Sequence, residues 1–271
     1  MSCQLRVAGC EMDEAFAGID VAFAKKKRLP VVVCRVRDAI VEPLPLRRAT
    51  AKPPRGEGNA AALDPAVRKA FAEETATYLW AIEREFGVSI KRIAIDSPSD
   101  PKAGDLRRRL CECAMDERDV RCFATPSAAE FDAIVNKAAA HLAAGGSQAN
   151  LPAANQLWML VGFALFERLR REWECLEVFP QAIAKTLQAA IHKRSLEGRT
   201  AQLQAAARFT RWPAPLDPRA LDEIAFGSGH DRLDAYLAAW VASLPEEQRT
   251  ALGQPPNDVI WIPVVPRIDA T

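Results

Sequence analysis

Three short apolar stretches of this chain each carry one carboxylate: Asp20 follows Ala17-Gly18-Ile19, Asp96 ends Ile93-Ala94-Ile95, and Glu177 lies within Leu176-Glu177-Val178-Phe179. Acids are depleted in strands, because a short charged side chain gains nothing from a half-buried pleated surface. A chain that repeats this placement must bring the acids to a place where something compensates their charge. Fold and chemistry are therefore constrained by the same residues.

The surrounding pattern reads as an α/β chain. Residues 17–23, 30–36 and 40–46 are apolar enough for strands, and their short connections predict an antiparallel meander. Pro43 and Pro45 place the third strand at a sheet edge, where a missing N–H costs little. The first sixteen residues have no clear period, and residues 49–63, with Pro53, Pro54, Gly56 and Gly58, read as a mobile surface loop. Asp64 and Pro65 open a helix with Val67, Phe71, Tyr78, Ile82 and Phe86 at helical spacing, and Gly87 stops it. Residues 90–95 then form a short apolar run ending in Asp96-Ser97-Pro98, as a buried parallel strand does.

A helical insertion of about residues 101–172 follows, with helices over 130–142 and 155–171, and residues 175–179 make another strand closed by Pro180. Further helices are expected over 181–192 and 196–208, then a Pro-rich turn over 212–218. The last helix starts near His230, and its stripe of Leu233, Tyr236, Leu237, Trp240, Val241 and Leu244 must pack on the sheet. Residues 259–265 can add a final strand. The expectation is a single domain over residues 1–271 with a mixed five-stranded sheet, spatial order 3-2-1-4-5, and helices on both faces.

Totals narrow the partners little. With 36 Lys and Arg against 35 Asp and Glu, net charge points to no ligand class, although basic residues cluster at 25–28, 107–109 and 168–171. The 7 cysteines include a lone C-x-C at Cys111 and Cys113 without the second pair of a structural zinc site, so they read as reduced thiols. The longest apolar run, 157–166, is about half of the ~20 residues needed to cross a bilayer, and no basic-then-apolar leader opens the chain. A soluble cytoplasmic protein with no membrane partner is expected.

Neighbouring parallel strands would let Asp20, Asp96 and Glu177 converge near the strand carboxyl ends, where open α/β sheets hold ligands. Asp231 and Asp234, three apart on the last helix, share a face and can join them. Such a group persists only with a compensating cation or proton, and oxygen-only ligands favour Mg²⁺ or Mn²⁺. Residue by residue, alternatives stay open: Asp20 and Asp96 as turn caps, Glu177 paired with a core arginine, Asp231 as a helix N-terminal acid. Other chemistries lack support, since no phosphate-cradling glycine loop and no nucleophile elbow are present. With 3 His, the chain is also too poor in ligands for a histidine-aspartate phosphohydrolase.

At Gly18-Ile19-Asp20, Ile93 to Pro98, Arg109 with Cys111-Glu112, Glu177-Val178-Phe179-Pro180, and His230-Asp231-Arg232-Leu233-Asp234-Ala235, the chain resembles a family of predicted nucleases of ribonuclease H-like fold, domain of unknown function 429. The matching stretches run from about residue 17 to 245, and the last also looks like the final helix of RuvC-type resolvases. It departs from the family in the hairpin after the first Asp, which Lys25 to Arg28 crowd.

The resemblance implies a nuclease that hydrolyses phosphodiester bonds of DNA or RNA with two Mg²⁺ or Mn²⁺ ions. Its catalytic set would be Asp20, Asp96, Glu177, Asp231 and Asp234: Asp20 bridging the ions, Asp96 holding one, Asp231 or Asp234 the other, and Glu177 outside the inner ligand set. Lys25 to Lys27, Arg109, Lys193 and Arg194 would contact the nucleic-acid backbone; Trp212 would stack bases or, as an aromatic in such a chain more often does, belong to the core. Two rivals remain. A non-catalytic nucleic-acid or protein binding module on the same fold would show no turnover, and a nucleotide-handling enzyme of the actin and sugar-kinase type would need glycine-rich phosphate loops that this chain lacks.

Overall fold

The structure, a computed structural model, describes residues 12–189 and 192–265. Strand β1 spans Asp13–Asp20, β2 Val31–Arg37 and β3 Ile40–Pro43. The first strand thus begins four residues before the apolar run and ends at its acid, because β1 pairs along its whole length with β4, Val88–Asp96. Polar Asp13 and Glu14 are held in the strand by that ladder, which their own side chains do not advertise. Residues 1–11 of the aperiodic N-terminal stretch lie outside the described residues.

Helix α1, Pro65–Phe86, joins β3 to β4 and has the ends its sequence encodes: the Asp64 side chain accepts from the Ala66 N–H, and Gly87 takes φ +64°. Next come α2, Leu110–Asp116, α3, Ala128–Ala143, α4, Ala154–Leu169, and strand β5, Glu174–Val178. Helix α5, Pro180–Thr186, is shorter than expected, and residues 190 and 191 of the anticipated helix lie outside the described residues. The chain continues with α6, Leu196–Thr210, the short α7, Leu221–Ile224, and α8, Gly229–Ser243.

The last two strands, β6, Arg249–Gln254, and β7, Asp258–Pro263, correct the expected sheet. It has seven strands in the order β3-β2-β1-β4-β5-β7-β6, rather than five. Strands β1, β4, β5 and β7 run parallel to one another, while β2, β3 and β6 are antiparallel to their neighbours. Strand β6 is poor in β-branched residues and forms only as the hairpin partner of β7. In that hairpin Gly253 has φ +99° and its Cα faces the Asp258 carbonyl, where a Cβ would lie at 2.3 Å.

Alternation along the strands divides the core in two. Ala17, Ile19, Ile93 and Ile95 pack under α1 and α4 on one face. Val32, Ala94, Leu176 and Val178 pack under α8, with α5 and α6 in the same layer. Helices therefore cover both faces. Trp212 lies against Tyr236 of α8, ring centroids 4.8 Å apart, so it serves the core rather than an exposed base-stacking surface.

The 49–63 loop is fastened to the connection between β1 and β2. Lys26 and Leu29 donate backbone N–H bonds to the carbonyls of Gly56 and Pro54 at 2.8 and 2.9 Å, and Gly56 donates to Lys27 at 2.8 Å. Gly56 permits this approach because a Cβ there would meet the Phe23 carbonyl carbon at 2.5 Å. No helix among the described residues is long and apolar enough to cross a membrane.

Candidate functional site

Asp20 and Asp96 close adjacent parallel strands in register with each other, so their Cα atoms are direct neighbours on the carboxyl rim of the sheet. Strand parity turns both toward the face covered by α8, since Ile19 and Ile95 point into the opposite core. Helix α8 lies unusually close there. A Cβ on Gly18 would come within 2.0 Å of the Ala235 carbonyl oxygen and 2.2 Å of the Ala239 nitrogen, so glycine is required for backbone to rest on backbone. At the far end of the helix, Arg92 of β4 donates to the Ala242 and Leu244 carbonyls at 2.7 and 3.1 Å and satisfies C-terminal acceptors.

That seating brings Asp234, 3% exposed, toward the two strand acids. Burial, then the charges of Asp234, Asp96 and Asp231, push the Asp20 carboxyl well above its ordinary range. Burial and Asp234 push Asp96 up to about 7. Burial likewise raises Asp234, although Lys193 opposes it. All three acids are thus harder to ionise than a free aspartate.

Asp231 sits one helical turn earlier. Its Oδ2 accepts from the Ser228 N–H at 2.8 Å in a capping box, and its Oδ1 lies 3.1 Å from His230 Nε2. It contributes to the field at Asp20 while also capping α8.

The cation already present is Lys193. Its ammonium pairs with Asp234 Oδ2, and although burial works against its charge, Asp234 and Asp96 outweigh that and raise its pKa. Lys193 was expected to reach toward a nucleic-acid backbone, but the acids draw it inward instead. Arg194 beside it is exposed. Lys25 lies on the exposed β1–β2 connection, apart from the acid group.

Glu177 lies near enough for its charge to raise Asp96, but it has a cation of its own. Leu176 and Val178 fill the α8 face, so alternation turns Glu177 the other way. It pairs with a core arginine: Arg109 Nη1 and Nη2 donate to its two oxygens at 2.7 and 2.8 Å, and the Ser99 N–H adds a bond at 2.8 Å. Arg109 also lies 3.4 Å from Asp258, whose carboxylate accepts from the Leu110 and Cys111 N–H groups at the start of α2. Burial opposes the guanidinium charge, and Glu177 outweighs it and raises the Arg109 pKa. Arg109 is 3% exposed, so its expected role as a backbone contact gives way to an internal one. Glu177→Ala is expected to destabilise the protein by about 3–5 kcal/mol, the cost of leaving a buried charge unpaired. Chemical denaturation measures this, and a change below about 1 kcal/mol would show the pair to be structurally idle.

Asp20, Asp96 and Glu177 all line one cavity of about 550 Å³ at the strand carboxyl ends, together with Trp158, Phe123 and Phe179. The donor set around the acids suits a hard divalent cation: it consists of carboxylate oxygens, and Asp234 Oδ1 is buried without a hydrogen-bond partner. As placed, no three acid, His or Cys side chains among the described residues approach closely enough to ligate one ion.

Fold and site together define an α/β protein with a desolvated acid cluster at the carboxyl rim of adjacent parallel strands. Neither a protein family, nor a curated protein, nor a solved structure matches the chain, so functional argument rests on this geometry.

Proposed function

We propose that the protein is a divalent-metal-dependent nuclease that hydrolyses phosphodiester bonds of DNA or RNA. The observation that carries the reading is the registered pair Asp20 and Asp96 facing Asp234 across the Gly18 contact, with the Asp234 charge raising the pKa of both and the Asp96 charge that of Asp20. Structural acids are ordinarily paired or exposed; here only Asp234 has an ion-pair partner, Lys193, while Asp20 and Asp96 face it with none among the described residues, an arrangement that costs stability and is typical of sites that bind charge. The β3-β2-β1-β4-β5 part of the sheet, with β2 antiparallel to β1, supports a ribonuclease H-like fold extended by β7 and β6.

Asp20, Asp96 and Asp234 would hold Mg²⁺ or Mn²⁺, with Asp231 at the rim. A divalent ion bound there supplies an activated water and neutralises charge at phosphorus. The chain's own contributions are distinct. β1 and β4 fix two carboxylates at one strand spacing, α8 sets the third against them, and the apolar core beneath lowers the local dielectric and strengthens their charge interactions. Lys193 Nζ donates to Asp234 Oδ2 and holds that carboxylate in place.

The test is incubation of the protein with labelled single-stranded and duplex DNA and RNA in Mn²⁺ or Mg²⁺, beside Asp20→Asn. Cleavage by the wild type that the variant lacks supports the reading; equal activity of the two removes it. Lys193→Met is expected to tighten Mn²⁺ binding by about tenfold, because an ion then meets the acids without a competing charge. Isothermal titration measures it, and unchanged affinity would separate Lys193 from the ion.

A further inference from the structure

The acid cluster leaves the basic loops unexplained. Five cations, Lys25, Lys26, Arg28, Lys52 and Arg55, and two acids, Glu57 and Glu74, line a groove of about 890 Å³ beside the β1–β2 connection and the 52–58 loop. None of the five has a carboxylate within ion-pair distance among the described residues. Neutral carbonyls hold three of them: Arg28 Nη1 donates to Pro53 O at 2.7 Å, Arg55 Nη1 to Lys26 O at 3.3 Å, and Lys52 Nζ to Arg47 O at 3.0 Å. Such bonds orient a cation without cancelling its charge.

The arginines are moreover forced together. Arg28 and Arg55 are partners in an antiparallel bridge, and burial and then the Arg55 charge lower the Arg28 pKa. Like charges kept side by side, with neither in an ion pair and cations outnumbering the lining acids five to two, mark a place where an anion belongs. The arrangement continues onto Phe226, whose ring has Arg47, Arg28 and Lys52 at 4.4, 5.4 and 5.5 Å from its centroid.

Phe226 connects this face to the acids. It precedes Gly227, whose Cα packs against Pro30 and Asp231 at the start of α8, and the Pro30 carbonyl accepts the Asp20 N–H at 3.2 Å. We infer that the groove beside the β1–β2 connection and the 52–58 loop binds the phosphate backbone of a nucleic-acid strand and leads it to the acid cluster. The inference rests on the nuclease reading for where the strand goes, but not for what the groove binds. A polyanion fits better than a lone phosphate, because the cations are spread along the groove and around the ring. An acidic membrane fits less well: the cations line a concavity, and none of the exposed large apolar side chains among the described residues lies in it to act as an anchor.

The experiment measures fluorescence anisotropy of labelled single-stranded DNA and RNA in EDTA, across a salt series, for wild type, the triple variant K25Q/K52Q/R55Q and Arg118→Gln as a remote basic control. A double variant, K25Q/R55Q, alters only exposed side chains and replaces the triple one should that lose its circular dichroism signature. The triple variant is expected to bind at least tenfold more weakly and to flatten the slope of log affinity against log salt by about 2, three lost contacts at ~0.7 each. Arg118→Gln should match wild type. Unchanged affinity and slope in the groove variants, or no binding of any oligonucleotide by wild type, overturns the inference. So does loss of binding to phosphatidylserine-containing vesicles with oligonucleotide binding intact. Loss of oligonucleotide binding in the variants, from a wild type that cleaves nothing in Mn²⁺, upholds the groove and sinks the nuclease reading.

Discussion

Asp20→Asn is expected to lower metal-dependent phosphodiester hydrolysis by about a thousandfold or more, the several kcal/mol that a metal's charge contributes to the transition state. The same variant should be more stable than wild type in EDTA. Asp20 is desolvated against Asp234, Asp96 and Asp231, and a neutral amide of equal size removes that repulsion while keeping the packing. A gain of about 1–4 kcal/mol is the range for relieving buried charge, so the melting temperature should rise by about 5 °C for a protein of this size. Mn²⁺ should raise the wild-type melting temperature and leave that of the variant nearly unchanged. A variant that melts earlier than wild type in EDTA would show that Asp20 is a structural acid.

The metal-free protein should carry a matching pH dependence. An unfolded aspartate titrates near 3.8, whereas Asp96 in the fold titrates near about 7, so between these values the folded state holds the proton that the unfolded state has lost. The Asp96 contribution to stability is therefore greatest below the unfolded value and falls as pH rises through the window from about 4 to 7, so wild type should lose stability relative to Asp96→Asn across it. Divalent ions, which bind the ionised form, should flatten the fall. Thermal melts of both proteins in EDTA across that range test this, and wild-type stability that rises with pH relative to the variant would contradict the assignment.

Gly18→Ala is expected to cost about 3 kcal/mol or more, at the upper end of overpacking effects, and the melting temperature should fall by about 10 °C. The contacts at stake are backbone atoms of Ala235 and Ala239, which cannot rotate away as a side chain does. Helix α8 must then lift from β1, and Asp234 moves with it away from Asp20. Stability and Mn²⁺ affinity should consequently fall together, in contrast to Asp20→Asn, where stability rises as affinity falls. A Gly18→Ala protein with wild-type melting and Mn²⁺ binding would mean that the helix does not set the acid geometry.

Much of this architecture was legible before folding was considered. The helix over Pro65–Phe86 announces itself through Asp64, Pro65 and Gly87, because capping is decided by a few adjacent residues. The expected succession β3-β2-β1-β4-β5 recurs inside the observed sheet through short connections and helical crossovers, but the full order, continued by β7 and β6, differs from the five-stranded sheet expected. Strand β6 was not legible, since its sequence has little strand character and it forms by pairing with β7. Glu177 carried two readings, a member of the acid set or the partner of a core arginine, and its bonds to Arg109 are those of the second. An acid in a strand and an arginine in a basic run each look available for chemistry until parity and burial bind them to one another.

What the sequence determined by itself was therefore local: which runs become helices and strands, where they stop, and that three acids end up near strand ends or within them. The tertiary structure decided partnership. It set Asp20, Asp96 and Asp234 against one another, turned Glu177 to Arg109, drew Lys193 onto Asp234, and left Arg28 and Arg55 side by side with neither in an ion pair among the described residues. Capping and periodicity act over a few residues, but charge acts through space, and the distances that decide it exist only once the sheet and α8 have packed.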